Sequence, residues 1–488
     1  MESQSSSLVT VHLTLFNLFA TCLTYFAVTI AVGYMRAPKY PQSLPWVGNG
    51  KTWFASLKNE IQGFSRRREW ILEGYERYNK RGMTFIMPPM LGIPTEAVVP
   101  QAHVPWMLDL PDNVLSTMEA HYDTLFGAYS FINPWIVTNP YHEHVLFKNL
   151  TRNLNAIIPE LADEIKEDIE DACGLDTEEF KEVKLLDGFL MNLIPKITNR
   201  MLVGKSICKN KDYLDGMIAF AMDVVRGMVF LPLIPKMLHP VVGSFHSLWP
   251  KYHHWQTKKY SGPLVQKRIE DIKRKEAGNP DYADWPVPND FVTWTIQTAT
   301  AEGRTEELDP ERITKRICSL NFASIHTTAI TANSAIIDIL NAGPEVMEVL
   351  CEEAVRIFDE DGQQWTKAGL ARMHKLDSAI RESQRFSSIS LNPITRKVVA
   401  KEGITDPDGN HFEYGSYLSC AWLPVTKDSG LFDEPDRYDA FRYSREREQY
   451  EVMSLDEKLD VNVSKLRQSG MVTTSHVHQG FGQGRHAW

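Results

Sequence analysis

The chain has 488 residues, and its 52 Lys+Arg against 62 Asp+Glu give a formal charge of −10. That balance argues against a nucleic-acid binder, which needs a basic stripe to meet phosphates. Hydrophobic residues at 43% and charged residues at 23% exclude a disordered or collagen-like chain, and cysteines scattered at 22, 173, 208, 318, 351 and 420 without a CxxC argue against a disulfide scaffold or a Cys-rich zinc module.

Between Glu2 and Arg36 there is no Lys, Arg, Asp or Glu. The stretch Leu8–Met35 is predominantly apolar, and as a helix it is about 42 Å long at about 1.5 Å per residue, enough to cross a hydrocarbon core of roughly 30 Å with some tilt. A cleaved signal peptide needs a basic n-region and a shorter apolar core. Residues 1–35 are therefore predicted to be a retained, single-pass transmembrane anchor. Arg36, Lys39 and Lys51 follow the span and nothing basic precedes it, which places the rest of the chain in the cytosol. The sequons at Asn149 and Asn462 are then silent. Residues 36–59 are predicted to be a Pro-rich linker, since Pro38, Pro41 and Pro45 hold a neck extended.

Residues 60–488 are predicted to be one large domain, mainly α with a small β-sheet. Apolar residues at spacings of three and four predict helices at Trp70–Asn79, His142–Cys173 and Asp212–Met228. Residues 230–255 carry prolines among large apolar side chains and read as an irregular apolar segment, either core or facing a membrane or ligand. The best-defined helix starts at Asp309-Pro310, a good N-cap followed by a tolerated first-turn proline, and stops at Gly343-Pro344. Weak strand signals at 397–400 and 416–424 flank the turn residues Asp406-Pro407-Asp408-Gly409-Asn410.

Four short features follow in order: Ala323-Ser324-Ile325-His326-Thr327-Thr328 in the long helix, Glu382-Ser383-Gln384-Arg385 in a helical segment, Phe432 to Tyr443 with Arg437 and Arg442, and Phe481-Gly482-Gln483-Gly484-Arg485-His486-Ala487-Trp488. Singly each has a bland reading: an exposed i, i+3 ion pair, a back-bonded Thr pair, a Gly-rich turn. Together, behind an apolar N-terminus and a Pro-rich neck, they resemble the membrane-bound cytochrome P450 family of heme-thiolate monooxygenases. The stretches DAFRYSR and RHA look most like filamentous-fungal members in secondary metabolism.

The resemblance implies a P450 fold, heme b as cofactor, O₂ as oxidant, and a hydrophobic small-molecule substrate, a terpenoid or similar secondary metabolite. The chain shows no P-loop or dinucleotide glycine motif. By resemblance its electrons come from an NADPH-cytochrome P450 reductase at the endoplasmic reticulum membrane. Thr327 takes the place of the family's proton-delivering Thr, with His326 where an acid often stands and Ser324 where a Gly is usual. Glu382, Arg385 and Arg442 match a structural triad, Arg437 being a nearby competitor for the third place. Phe481 and Gly484 belong to the heme loop; His486 and Arg396 match positions that contact heme propionates. The family's basic residue in an early helix falls at Phe147, a departure.

The family's iron ligand is the cysteine that follows. Here the position is Trp488, and an indole N–H is a donor only. The chain as written is therefore expected to be inactive, and to lack the helix and strands that follow the ligand. Cys318 and Cys420 lie in no comparable loop. A Cys codon begins TG; an intron of GT-A-A type read through after TG gives TGG and then TAA, so a gene-model error accounts for both the identity and the place of Trp488. The rival expectations are a heme-free pseudoenzyme acting as a membrane-anchored interaction protein, and a metal hydrolase. The His pairs 142/144, 253/254 and 476/478 lack the i, i+4 spacing with a central Glu that zinc helices use.

Overall fold

A computed structural model describes residues 37–487 except 91, 177–180 and 460, together with scattered positions between 17 and 35. The predicted anchor thus lies largely outside the described residues, and Trp488 lies outside them altogether; the described positions from Asn17 to Met35 are helical. Among the described residues one helix, Lys211–Leu233, is long and apolar enough to cross a bilayer, with a mean hydropathy of 1.6, but 44% of it is buried inside the protein.

Residues 37–52 are seated on the domain. Tyr40 donates to the Thr95 carbonyl at 2.5 Å and accepts from the Tyr417 amide at 3.0 Å, and Leu44 and Val47 are buried. Helix α1 (Trp53–Arg77) begins within the stretch read as linker, its N-cap Thr52 accepting from the Ala55 amide. The chain then forms β1 (Phe85–Met87), β2 (Glu96–Val99) and β3 (Leu115–Ser116), a helical turn α2 (Gly127–Ser130), and the helices α3 (Tyr141–Cys173), α4 (Met191–Val203), α5 (Lys211–Phe230), α6 (His239–His246), α7 (Leu248–Glu276) and α8 (Phe291–Ala301). Long helix α9 (Pro310–Asn341) follows, then α10 (Pro344–Glu360), α11 (His374–Phe386), β4 (Thr395–Val398), β5 (Ile404–Thr405), β6 (His411–Phe412) and β7 (Tyr417–Cys420).

Segment 230–255 is not irregular. It is a run of short helices leading into α7. Its prolines sit at helix starts, where the missing N–H has no helical partner to lose: Pro235 caps one short helix, and Pro232, Pro240 and Pro250 lie in first turns. Helix α9 has the expected cap, the Asp309 carboxylate accepting from the Glu311 amide, and Gly343 at φ 106° ends it before Pro344 starts α10.

One sheet has the order β1-β2-β7-β4-β3; β2 and β7 run parallel and the other pairs antiparallel. The weak strand signals near 397 and 416 are thus central partners, with Arg396 opposite Leu418. The hairpin β5–β6 closes over the turn, whose amides at Asp408 and Asn410 donate to Asp406. Helices α3, α4, α5, α7, α8 and α9 share the largest core, with Tyr213, Phe220, Phe291 and Ile317 buried. A second core lies against the sheet and a third packs Trp70, Phe85 and Trp422 under α1. The architecture is mainly helical with a small sheet, and it carries α9, α11 and the loop 479–487 to one place.

Candidate functional site

Helix α11 positions Glu382 and Arg385 three residues apart on one face, and both are fully buried. Arg385 Nε and Nη2 donate to Glu382 at 2.8 and 2.6 Å, Nη1 donates to the carbonyls of Thr426 (2.6 Å) and Pro435 (2.7 Å), and Nη2 reaches the Arg437 carbonyl at 3.2 Å. All five guanidinium N–H groups are thereby spent, a set that a Lys could not supply. Arg442 Nε donates to Glu382 at 3.1 Å and its Nη1 to the Asp433 carbonyl at 2.6 Å. The side chain of Arg437, 73% exposed, pairs instead with Glu434. Arg442 therefore holds the third place, and the three residues clamp the 426–442 segment onto α11.

On α9, Thr327 donates to the Ala323 carbonyl at 2.6 Å and Ser324 to the Leu320 carbonyl at 2.7 Å. Such back-bonding occupies the hydroxyl protons and leaves the oxygens as acceptors. His326 is half-buried, its Nδ1 has no partner, and burial lowers its pKa, so the ring is neutral at physiological pH. Phe481 and Gly480 share a small crevice with Thr331 and Ser334 of α9 and with Ser383, Gln384 and Ser387 around α11. The 382–385 and 481–488 features thus meet against α9, one turn beyond Thr327.

The fourth site component is cationic. Arg396 on β4 is 1% exposed; Nη1 donates to the Met107 carbonyl at 2.9 Å, Nε has no partner, and burial lowers its pKa. Gly484, at φ 85°, lies beside it: a Cβ there would stand 3.4 Å from Leu108 Cδ2 and 3.9 Å from Arg396 Nη2. The left-handed backbone favours glycine, while the contacts themselves are ordinary. His486 Nε2 lies 3.1 Å from both Asp112 oxygens and Nδ1 lies 3.5 Å from Glu143; the Glu143 carboxylate, with Asp112, raises its pKa. Arg485 donates to the Leu110 carbonyl. Asp112, Glu143 and the half-buried His121, whose pKa desolvation lowers, were not legible in the sequence, because Asp112 is joined to His486 across 374 residues and no local pattern marks such a contact. Phe147 is 89% exposed and its neighbour Lys148 pairs with Glu302, so neither carries the role of a basic residue at this site.

These groups test the fit of a heme. Arg396 is a buried cation with an unmet donor, and a propionate carboxylate is the partner it lacks. The glycine loop leaves room for close approach. The position that the resemblance assigns to the iron ligand does not fit: Trp488 stands there, and an indole offers iron no lone pair. Cys318 and Cys420 are no substitutes, since burial pushes both thiols up to about 12 and they bond to Thr257 and Met217 and to Gln479 respectively.

Five of the six paired histidines have ordinary partners. His142 meets Arg316, His144 meets Glu302, His253 meets Asp223, His254 meets Thr314 and His478 meets Gln384.

A family model described as Cytochrome P450 matches residues 138–487. The chain is 26% identical over 487 residues to "Cytochrome P450 monooxygenase gloP" of Glarea lozoyensis, covering 96% of this chain and 85% of that one. It is 30% identical over 485 residues to "Cytochrome P450 monooxygenase olcJ" of Penicillium canescens, covering 97% and 84%. The "Crystal structure of cytochrome P450DA heme domain" superposes with a TM-score of 0.58 at 14% identity, covering 93% of this chain and 87% of that one. The chain belongs to the cytochrome P450 family, the heme-dependent monooxygenases.

Proposed function

We propose that the protein is a membrane-anchored monooxygenase that oxidises a hydrophobic secondary metabolite, a terpenoid or similar molecule, with O₂ and electrons from an NADPH-cytochrome P450 reductase at the endoplasmic reticulum. The observation that carries this reading is the buried, incompletely paired Arg396 beside Gly484 and the crevice shared by α9, α11 and Phe481. When bound, heme supplies the activation of O₂. Arg396 would hold a propionate, whereas His486 is already engaged by Asp112 and Glu143; Phe481 and Gly484 would shape the loop against the heme, and Glu382, Arg385 and Arg442 would brace that loop from behind. Thr327 offers a hydroxyl oxygen that accepts a proton donor, and His326, neutral and able both to donate and to accept, moves protons along α9.

Membrane anchoring by residues 1–35 and a cytosolic catalytic part accord with the surface. Phe230, Leu233, Val241, Phe245 and Trp249 are exposed, and so are Phe54, Ile61 and Phe64 of α1. The Asn149 sequon is engaged with Val145 and Thr298 between α3 and α8, which suits a chain that is not glycosylated there.

The thiolate reading requires Cys at position 488, and a chain with Trp488 is inactive in this chemistry. The rival reading is a heme-free pseudoenzyme, a membrane-anchored interaction protein. Sequencing the mature message across codon 488 and measuring the reduced carbon monoxide difference spectrum of the wild-type chain and of Trp488→Cys separate the two. A Cys codon, or a thiolate spectrum in the variant alone, supports the oxidase. A message that reads Trp, with no heme uptake by either protein, refutes it.

A further inference from the structure

We infer that Asp112 sets a limit on heme affinity, because its carboxylate competes with a heme propionate for His486 and the adjacent Arg485. This rests on the oxidase reading and deepens it by naming a residue that governs cofactor uptake at the same site. One short segment meets the terminal loop here. Gly484 lies against Leu108, Arg485 Nη2 donates to the Leu110 carbonyl at 3.2 Å, and Asp112 reaches both Arg485 and His486. Arg396 grips the start of that segment, its Nη1 donating to the Met107 carbonyl.

A protonated imidazole has two N–H donors and no others. His486 Nε2 lies 3.1 Å from both oxygens of Asp112, and Nδ1 lies 3.5 Å from Glu143 in the first turn of α3. Carboxylates of this chain therefore stand at both nitrogens, and a propionate gains a donor only where one of them gives way. Asp112 is the stronger competitor. It holds the ring at the shorter distance and also lies 3.7 Å from Arg485 Nη1, whereas Glu143 reaches the ring alone. Among the described residues the Asp112 carboxylate pairs only with the loop. Its own turn is closed without it, by the Val114 and Leu115 amides donating to the Pro111 carbonyl. With its side chain 38% exposed, Asp112 can return to water when displaced, so the contact is a competition and not a fixed buried pair. Arg396 differs, since its buried Nε has no partner. A propionate at Arg396 meets an unmet donor; a propionate at His486 meets a resident anion.

The test titrates hemin into the full chain in detergent and follows the Soret absorbance. Asp112→Asn keeps the shape and removes the charge. It is expected to bind hemin about fivefold more tightly, the scale of a partly exposed ion pair. Hemin dimethyl ester carries no propionate charge and should bind wild type and Asp112→Asn alike. Adding His486→Ala to Asp112→Asn should erase the gain, because the released ring is gone. Thermal unfolding followed by circular dichroism checks that each variant folds. An affinity of Asp112→Asn equal to or below wild type, or the same gain with the dimethyl ester, overturns the inference and leaves Asp112 a residue that only holds the loop in place. Hemin uptake without the Asp112 effect refutes this inference alone. Absence of uptake by every chain, Trp488→Cys included, refutes the oxidase reading on which it rests.

Discussion

Glu382→Ala is the most telling perturbation of the brace. The carboxylate is fully buried and accepts from Arg385 Nε and Nη2, from Arg442 Nε and from the Asp439 amide at 2.8, 2.6, 3.1 and 3.2 Å. Removing it leaves the Arg385 guanidinium, also fully buried, as a charge with no counter-ion. Breaking a buried pair in this way costs about 3–5 kcal/mol. At about 4 kcal/mol the folded-to-unfolded ratio falls by roughly a thousandfold, a large share of the total stability of about 5–15 kcal/mol for a typical domain. The control is Arg437→Ala, whose side chain is exposed and joined to Glu434 three residues away; it is expected to shift stability by no more than about 1 kcal/mol. Urea unfolding followed by tryptophan fluorescence gives both numbers, and heme content reports whether the loop still assembles. A Glu382→Ala protein within about 1 kcal/mol of wild type, with normal heme content, would falsify the brace.

Three further outcomes follow from the site. Arg396→Leu removes a buried cation with an unmet donor, so the heme-free protein should become more stable while hemin affinity falls; thermal melts and hemin titration check both, and a loss in both would show that the residue only holds Met107 in place. Trp488→Cys should give a thiolate-type carbon monoxide spectrum, and Trp488→Ala should not. Burial and the neighbouring Arg316 lower the pKa of His142 from its ordinary 6.5 to about 4, so between those values the unfolded chain binds the extra proton. Stability is then complete above about pH 6.5 and declines as pH falls to about 4, with a slope approaching 1.4 kcal/mol per unit. His142→Gln should flatten that slope in denaturant titrations at pH 7, 6 and 5, and an unchanged slope would assign the acid sensitivity to other groups.

Much of the frame was legible because its signals are local. Helix α9 could be read from Asp309-Pro310 and Gly343-Pro344, since a cap and a stop are each written within a few residues. The order of the four features was sufficient to indicate the P450 family without any coordinates. The segment 230–255 was misread because prolines signal irregularity only until their position in a helix is known. Strands β4 and β7 were weak signals because residues 395–398 and 417–420 gain their stability from pairing with each other and with β2, not from their own alternation.

By itself the sequence determined the class of the fold, the candidate residues and the identity of residue 488, because these depend on residue type, spacing and order along the chain. Only the tertiary structure showed Arg442 rather than Arg437 against Glu382, since the two arginines lie five residues apart and the choice turns on which side chain points inward. It also brought Asp112 and Glu143 to His486. Such contacts join residues that are far apart along the chain, and nothing in the local pattern of either partner encodes them; they exist only once the packing of the helices has fixed which faces meet.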